Sequence, residues 1–206
     1  MGNSRPRGTV ITLARLEREI SSIERSPRVV AIDGRAGAGK SRFASALVPF
    51  CGDVAVVRVD DFLWWDDIET WWPRLRQEAL EPLLAGRAAR FRVRDWEHDP
   101  LGRGLGDYVV TVPAETVLIE GVTSSRQDVA DRVDLAFWVE ASHETRLRRG
   151  LDRDGEHMRG RWQDWMALED EFFTSDDVRS RADYVVHGES AVSHDPAQDV
   201  VVLTGR

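Results

Sequence analysis

Short apolar runs alternate with longer segments of mixed polarity along most of this chain. A continuous apolar run is typical of a parallel strand that is covered on both faces. Such runs predict strands at residues 29–32, 54–59, 116–119, 135–139, 184–186 and 200–203. Apolar residues at helical spacing predict helices at residues 11–23, 40–49, 64–84, 143–154 and 161–173. Because strands and helices alternate, we expect an α/β fold with a doubly wound, mostly parallel sheet.

A β-hairpin is predicted between two of these elements. Residues 90–96 and 108–112 have strand-like patterns, and the loop that joins them contains Gly102, Gly104 and Gly106. We therefore expect a single domain over residues 1–206 with a small hairpin insertion at about 89–112. Open α/β sheets bind ligands at the carboxyl ends of their strands, so functional residues are expected there.

One glycine-rich segment fits the phosphate-binding pattern G-x-x-x-x-G-K-[ST]. Its residues are Gly34, Arg35, Ala36, Gly37, Ala38, Gly39, Lys40 and Ser41. The segment follows a predicted strand and opens a predicted helix, which is the context that the motif requires. Glycines allow the backbone to aim its N–H groups at phosphate oxygens, and the helix N-terminus adds partial positive charge. The motif therefore predicts nucleotide binding, with Ser41 as a ligand of Mg²⁺.

Lysine usage supports this interpretation. The chain has 28 basic residues, and Lys40 is the only lysine among them. A compact ammonium on a flexible stem can follow a phosphate during transfer, whereas the planar guanidinium of arginine is more rigid. We expect Lys40 to contact the β- and γ-phosphates and to act as a catalytic residue.

Composition argues against several classes of binding partner. A net charge of −8 argues against nucleic acid, which favours a basic surface. One cysteine, Cys51, excludes an internal disulfide framework and is typical of a reducing compartment. The sequence contains neither an apolar run of membrane-spanning length nor a signal-peptide core. We expect a cytoplasmic protein with no membrane or nucleic-acid partner; the sequence leaves a homo-oligomer open.

Acidic residues follow several predicted strands. Asp60 and Asp61 end the second apolar run, Asp95 ends the first hairpin strand, and Glu120 ends the strand at 116–119. A kinase needs one carboxylate to orient or deprotonate the acceptor hydroxyl and another near Mg²⁺. Asp60 and Glu120 lie at the right strand ends for these two roles. A helix cap or solvated turn is the alternative for Asp60 and Asp61.

Three segments carry a resemblance to a known family: residues 31–34 before the loop, 59–62 after the second strand, and 117–121. They resemble the uridine kinase and phosphoribulokinase branch of the P-loop kinases. The resemblance implies a nucleoside kinase-like fold in which Asp60 is the catalytic base and residues 182–188 lie near adenine. It also implies that the hairpin binds the acceptor through Asp95, Trp96 and His98.

The segment after residue 145 is similar to the family's helix that leads into a lid, here at about 149–165. Arginines of such a lid close over the transferring phosphate. The candidates are Arg149, Arg153, Arg159 and Arg161, although for any one of them alone a solvated surface position is the favoured interpretation in so arginine-rich a chain. We favour Arg149 and Arg153 as catalytic residues, because a separation of four places them on one helical face.

Aromatic residues are the remaining candidates for the acceptor pocket. Trp64 and Trp96 each closely follow a strand-end carboxylate, so we expect them and Asp61 to bind substrate. Trp71 and Trp72 are more typical of core anchors. His98 either bonds an acceptor hydroxyl or has no role.

The leading interpretation is an ATP-dependent kinase that transfers the γ-phosphate to a hydroxyl of a small metabolite, with Mg²⁺ as the only expected metal. The resemblance implies a nucleoside such as uridine. However, residues 60–63 and 94–96 depart from the family's patterns, which leaves the acceptor open. The alternative is a P-loop ATPase or an ATP-binding protein without kinase activity. A GTP-dependent switch would need an Asn-Lys-x-Asp motif, and the single asparagine is Asn3.

Overall fold

The computed structural model describes residues 8–66 and 68–205. Its strands are β1 (Thr9–Thr12), β2 (Arg28–Asp33), β3 (Val54–Arg58), β4 (Ala89–Arg94), β5 (Leu105–Thr111), β6 (Thr116–Glu120), β7 (Leu135–Glu140), β8 (Tyr184–His187) and β9 (Asp199–Gly205). Seven of them form one sheet in the order β1-β9-β8-β7-β2-β6-β3, and β4 pairs with β5 as a separate hairpin.

The centre of the main sheet is parallel. Strand β2 pairs in parallel with β6 and β7, and the parallel ladder continues to β3 on one side and to β8 on the other. Strands β9 and β1 add an antiparallel edge. The prediction of a mostly parallel sheet is confirmed.

Helices cover both faces of this sheet. They are α1 (Leu13–Ser21), α2 (Lys40–Leu47), α3 (Trp72–Leu75), α4 (Glu81–Leu84), α5 (His143–Asp154), α6 (Arg159–Asp176) and α7 (Val178–Arg181), and one π-helical turn (Arg76–Leu80) joins α3 to α4. Helices α1 and α2 pack on the face that carries Val30, Ile32 and Phe137. Helices α3, α4, α6 and α7 pack on the opposite face, which carries Val57 and Trp138. The sheet is therefore doubly wound, as the alternating pattern predicted.

Two predicted helices begin later than expected. The helix predicted from residue 11 begins at Leu13, because Ile11 belongs to the short strand β1 and the Thr12 side chain caps the helix by accepting from Arg15 N. The helix predicted over 64–84 begins only at Trp72, with Pro73 in its first turn. The other predicted elements are present to within a few residues, including α5 at its predicted bounds.

The topology places three strand ends side by side. Strand β6 lies between β2 and β3, so the carboxyl ends of all three meet at one edge of the sheet. The glycine-rich loop, Asp60 and Glu120 follow or end these strands. Among the described residues, none of the helices is long and apolar enough to cross a membrane.

Candidate functional site

The glycine-rich loop is held tightly from outside. A side chain on Gly34 would lie 2.3 Å from the carbonyl oxygen of Val139, and one on Gly37 would lie 2.6 Å from that of Arg146. Gly37 also adopts φ +75°, a conformation that L residues rarely adopt. The loop therefore needs glycine both for its turn and for its contact with the neighbouring backbone.

Helix α2 begins inside this loop at Lys40 and points its N-terminus back along it. Lys40 is only 7% exposed, and its Nζ donates a hydrogen bond to the carbonyl of Arg35 at 3.1 Å. The ammonium is thus folded over the loop. Backbone N–H groups, a helix N-terminus and a buried ammonium together form a cradle for phosphate groups.

Ser41 and Glu120 form a pair of oxygen groups beside the cradle. The Ser41 hydroxyl donates to Glu120 Oε1 at 2.8 Å. Burial raises the pKa of Glu120, the nearby charge of Asp60 raises it further, and Lys40 opposes both effects. Hard oxygen ligands of this kind suit Mg²⁺, so the predicted pair is brought together in a suitable place.

Asp60 and Asp61 lie in a single helical turn directly after β3. Asp60 is exposed, whereas Asp61 is partly buried. Burial raises the pKa of Asp61 to about 6, with the charges of Asp60 and Glu120 adding to the effect and Arg58 opposing it. The three carboxylates therefore form one electrostatic group at the ends of β3 and β6.

The two favoured arginines of α5 have different surroundings. Arg149 donates to the carbonyls of Gly37 and Ala38, both at 3.1 Å, and to that of Gly188 at 2.8 Å. These contacts support the outside of the loop, and a role for Arg149 at the phosphates stays a prediction.

Arg153 lies closer to the acidic group. It forms a two-point ion pair with Asp154, and Asp154 also accepts from the indole N–H of Trp162 at 2.9 Å. This hydrogen bonding raises the pKa of Arg153, and the charge of Asp60 raises it further. An arginine from α5 is thus brought near Asp60. The predicted lid corresponds to the end of α5, a short turn at Glu156–Met158 and the start of α6.

The hairpin reaches the same region through Trp96. Its indole N–H donates to the backbone carbonyl of Asp60 at 2.9 Å, although 38% of the side chain is exposed. Asp95 accepts from the backbone N–H of His98 at 3.2 Å, and its carboxylate lies 2.9 Å from His98 Nδ1. The hydrogen bonds from His98 hold the pKa of Asp95 below its usual value. Of the three hairpin residues predicted to bind the phosphate acceptor, Trp96 contacts the backbone of Asp60.

Three further tryptophans that the sequence singles out, Trp64, Trp71 and Trp72, have different surroundings. Trp64 lies under the guanidinium of Arg94, whose carbon is 4.2 Å from the ring centroid. Trp71 and Trp72 are 1% and 6% exposed, which confirms their prediction as core anchors. Trp64 remains a candidate for substrate binding.

Sequence reasoning missed Asp33, which immediately precedes the loop. It is fully buried and accepts four hydrogen bonds, from Gly34 N, Thr123 N, Ser125 N and the Ser125 hydroxyl, at 2.6–2.9 Å. Burial raises its pKa to about 6, against the opposing effect of these hydrogen bonds and of Lys40. Asp33 therefore ties the start of the loop to the turn that follows β6. A charged residue ending an otherwise apolar strand was the available signal.

Two cavities flank the segment that follows β8. The larger, of about 1240 Å³, is lined in part by Arg35, Arg146 and Glu189. The smaller, of about 140 Å³, is lined in part by Gly39 and Arg42. The loop residue Arg35 lines the first and Gly39 the second, so both open beside the loop, and Asp60 lines neither; His187 lines both.

This geometry can be compared with known proteins. No family model matches the sequence, and no curated protein matches it. Among solved structures, one described as a possible uridine kinase from Bacillus stearothermophilus has a TM-score of 0.62 at 19% identity, with 84% of this chain and 96% of that chain covered. The chain shares its α/β fold with that structure.

A second structure with this fold is a provisionally named fructose transport system kinase from Silicibacter sp. TM1040. Its TM-score is 0.50 at 17% identity, and the match covers 83% of this chain and 92% of that chain. At such identities the likeness shows a shared fold. The chemistry of this chain has to be argued from its own residues.

Proposed function

We propose that this protein is an ATP-dependent phosphotransferase that moves the γ-phosphate of ATP to a hydroxyl of a small metabolite. One observation carries the proposal: the phosphate cradle with Lys40, the Ser41–Glu120 pair and Asp60 lie at adjoining strand ends. Phosphoryl transfer needs these three parts within reach of one another, because it depends on positioning and on charge stabilisation.

The loop residues 34–41 would hold the triphosphate. Lys40 would contact the β- and γ-phosphates, and Ser41 with Glu120 would organise Mg²⁺, which neutralises phosphate charge when it is bound. The cavities beside His187 offer space for the adenosine part of the nucleotide. The donor side of the reaction thus has a place for each part of ATP.

Asp60 would orient the acceptor hydroxyl and accept its proton. Its exposure leaves it accessible to an acceptor, and Trp96 fixes its backbone from the hairpin side. Arg153 would place positive charge near the transferring group, where charge spreads over three oxygens.

The acceptor that we propose to test first is a nucleoside such as uridine. The structure described as a possible uridine kinase supports this choice through the shared fold. Asp61, Trp64, Asp95, Trp96 and His98 would contact it. Asp61 and Trp96 stand where the resembling family has serine and phenylalanine, so sugars and other hydroxyl compounds belong in the same panel.

The test is ADP production from ATP and Mg²⁺ across this panel, with and without acceptor. A kinase consumes little ATP alone and much more with its acceptor, whereas ATP consumption that no acceptor increases would favour an ATPase. With the best acceptor, Asp60→Asn should lower turnover by about 100-fold or more, because it removes the proton acceptor. ADP affinity should stay within about twofold.

Asp131→Asn is the matched control, since it makes the same change at an exposed position in the turn before β7. This variant should keep wild-type turnover. If Asp60→Asn stays within tenfold of wild type, equivalent to about 1.4 kcal/mol of barrier, Asp60 is not the base.

A further inference from the structure

One glutamate of α6 is completely enclosed. Glu169 is 0% exposed and lies on the helix face that also buries Trp162, Trp165 and Phe173. A carboxylate without water must find hydrogen-bond donors within the protein. Its Oε1 accepts from the backbone N–H of Ala36 at 2.6 Å and from the Trp165 indole at 2.9 Å. Its Oε2 accepts from Arg146 at 3.1 Å.

These donors join separate parts of the molecule. Ala36 belongs to the glycine-rich loop, Arg146 to α5, and Trp165 to α6 itself. Burial raises the pKa of Glu169, while the Ala36 amide and the charges of Lys40 and Arg146 oppose that effect. The carboxylate therefore connects the loop to both helices that bound the predicted lid.

The neighbouring residues of the loop are held from the same side. Arg35 forms an ion pair with Asp170 of α6, and its guanidinium carbon lies 5.2 Å from the centroid of the Phe173 ring. Arg149 of α5 donates to the carbonyls of Gly37 and Ala38. Along residues 35–38, Glu169 is the side chain that accepts from a backbone N–H, that of Ala36, while the Ala38 N–H donates to the Arg35 carbonyl at 3.1 Å.

A phosphate-binding loop gains affinity when its N–H groups are ordered before the ligand arrives. An anchored Ala36 amide restricts the peptide that leads into Gly37, the residue at φ +75°. We propose that Glu169 is a positioning residue, which holds the first half of the loop in its phosphate-binding conformation by accepting from Ala36 N. This inference rests on the proposed function, because it assumes that the loop binds a nucleotide.

The decisive comparison uses two variants. Arg146→Met removes the buried ion pair; the Glu169 carboxyl, left without its counter-charge, is neutralised by a proton and still has an oxygen that accepts from Ala36 N. Arg146→Met/Glu169→Met removes that acceptor too. Replacing both members of a buried pair with apolar residues is often neutral for stability, so the double variant should fold. We expect ADP affinity, measured by calorimetry, to fall about tenfold in the double variant relative to Arg146→Met, equivalent to ~1.4 kcal/mol.

Kinetics separate positioning from general damage. A structural defect lowers the number of working sites, whereas loss of positioning raises KM for ATP and leaves KM for the acceptor unchanged. Glu171→Gln, at an exposed position of α6, is the control and should match wild type. Equal ADP affinity in the single and double variants would overturn the inference. Wild-type protein that binds no nucleotide would overturn the proposed function instead.

Amide hydrogen exchange tests the same contact without mutation. In nucleotide-free wild type, the Ala36 N–H should exchange slowly, because it is bonded to a fully buried carboxylate. Rapid exchange at Ala36 would contradict the anchor, even if the double variant failed to fold.

Discussion

Asp61 allows a stability prediction with a definite sign. Burial raises its pKa to about 6, the charges of Asp60 and Glu120 add to this effect, and Arg58 and Arg74 oppose it. The pKa of aspartate in an unfolded chain is about 3.9. The folded protein therefore binds the proton of Asp61 more tightly than the unfolded chain does. Between about pH 4 and pH 6, the contribution of this group to stability falls as the pH rises.

The magnitude follows from the difference between these two pKa values. Each pKa unit corresponds to about 1.4 kcal/mol, so a shift of this size, if water did not screen it, would lower the free energy of unfolding by about 3 kcal/mol above pH 7. Asp61 keeps part of its surface in water, and we expect about half of that value. Asp61→Asn removes the charge while preserving the shape. The variant should be more stable than wild type by ~1.5 kcal/mol at pH 7.5 and about equally stable at pH 4.

The assay is urea unfolding of both proteins at pH 4, 5, 6 and 7.5, without nucleotide and with a metal chelator present. Asp128→Asn is the matched control because Asp128 is exposed. The reasoning is refuted if the difference between Asp61→Asn and wild type does not change with pH, or if the variant is less stable at pH 7.5.

Two further changes test the loop and the hairpin. Gly37→Ala should lower the free energy of unfolding by ~2–4 kcal/mol, because the new methyl group meets a backbone carbonyl at a residue with positive φ. Gly160→Ala is the control and should stabilise the protein slightly, because Gly160 lies in α6 with open space around it. Thermal unfolding compares the two variants. Trp96→Phe removes the hydrogen bond to the Asp60 carbonyl and should lower kcat/KM for the acceptor about tenfold with ADP affinity unchanged. The exposed Tyr108→Phe is its control, and equal kinetics for the two aromatic variants would contradict this role for Trp96.

The order of the central elements could be predicted because local patterns dominate there. Residues 29–32 of strand β2 are continuously apolar and lead into the glycine-rich loop, so the apolar run and the motif that follows it predict the same strand. Helix α5 was predicted at its observed bounds, because Ser142 caps its start by accepting from Thr145 N and Gly155 follows its end. In each case the signal lies within a few residues of the boundary.

The strand β1 could not be predicted in the same way. It has only four residues, three of them exposed, and it exists through its pairing with β9 at the far end of the chain. Without that partner, Ile11 joins the helical spacing of α1. The helix predicted over residues 64–84 begins later than predicted for a related reason, since aromatic residues before Trp72 are held by tertiary contacts. Trp65, for example, packs against Trp162 and Trp165.

The residues of the candidate site differ in the same way, because some could be predicted from local sequence and others depend on distant partners. Asp60, Glu120 and the loop are visible in sequence because each directly follows or ends an apolar strand. Asp33 also ends an apolar strand, but its role, like that of Glu169, depends on partners about 90 and 133 residues away, respectively. A carboxylate at the end of an apolar stretch, such as Asp33, indicates that a hydrogen-bond partner exists. Its identity requires the fold.

The charges around Lys40 explain why these carboxylates belong together. Burial raises the pKa of Asp33, Glu120 and Glu169, and the same ammonium opposes the shift in all three. One lysine cannot balance three buried carboxylates, so Arg146 and the backbone N–H groups supply the remaining compensation. An arrangement that is costly for stability is common where groups are positioned for chemistry. Glu120, whose charge together with that of Asp60 raises the pKa of Asp61, would thus also help to hold Mg²⁺ in the proposed reaction.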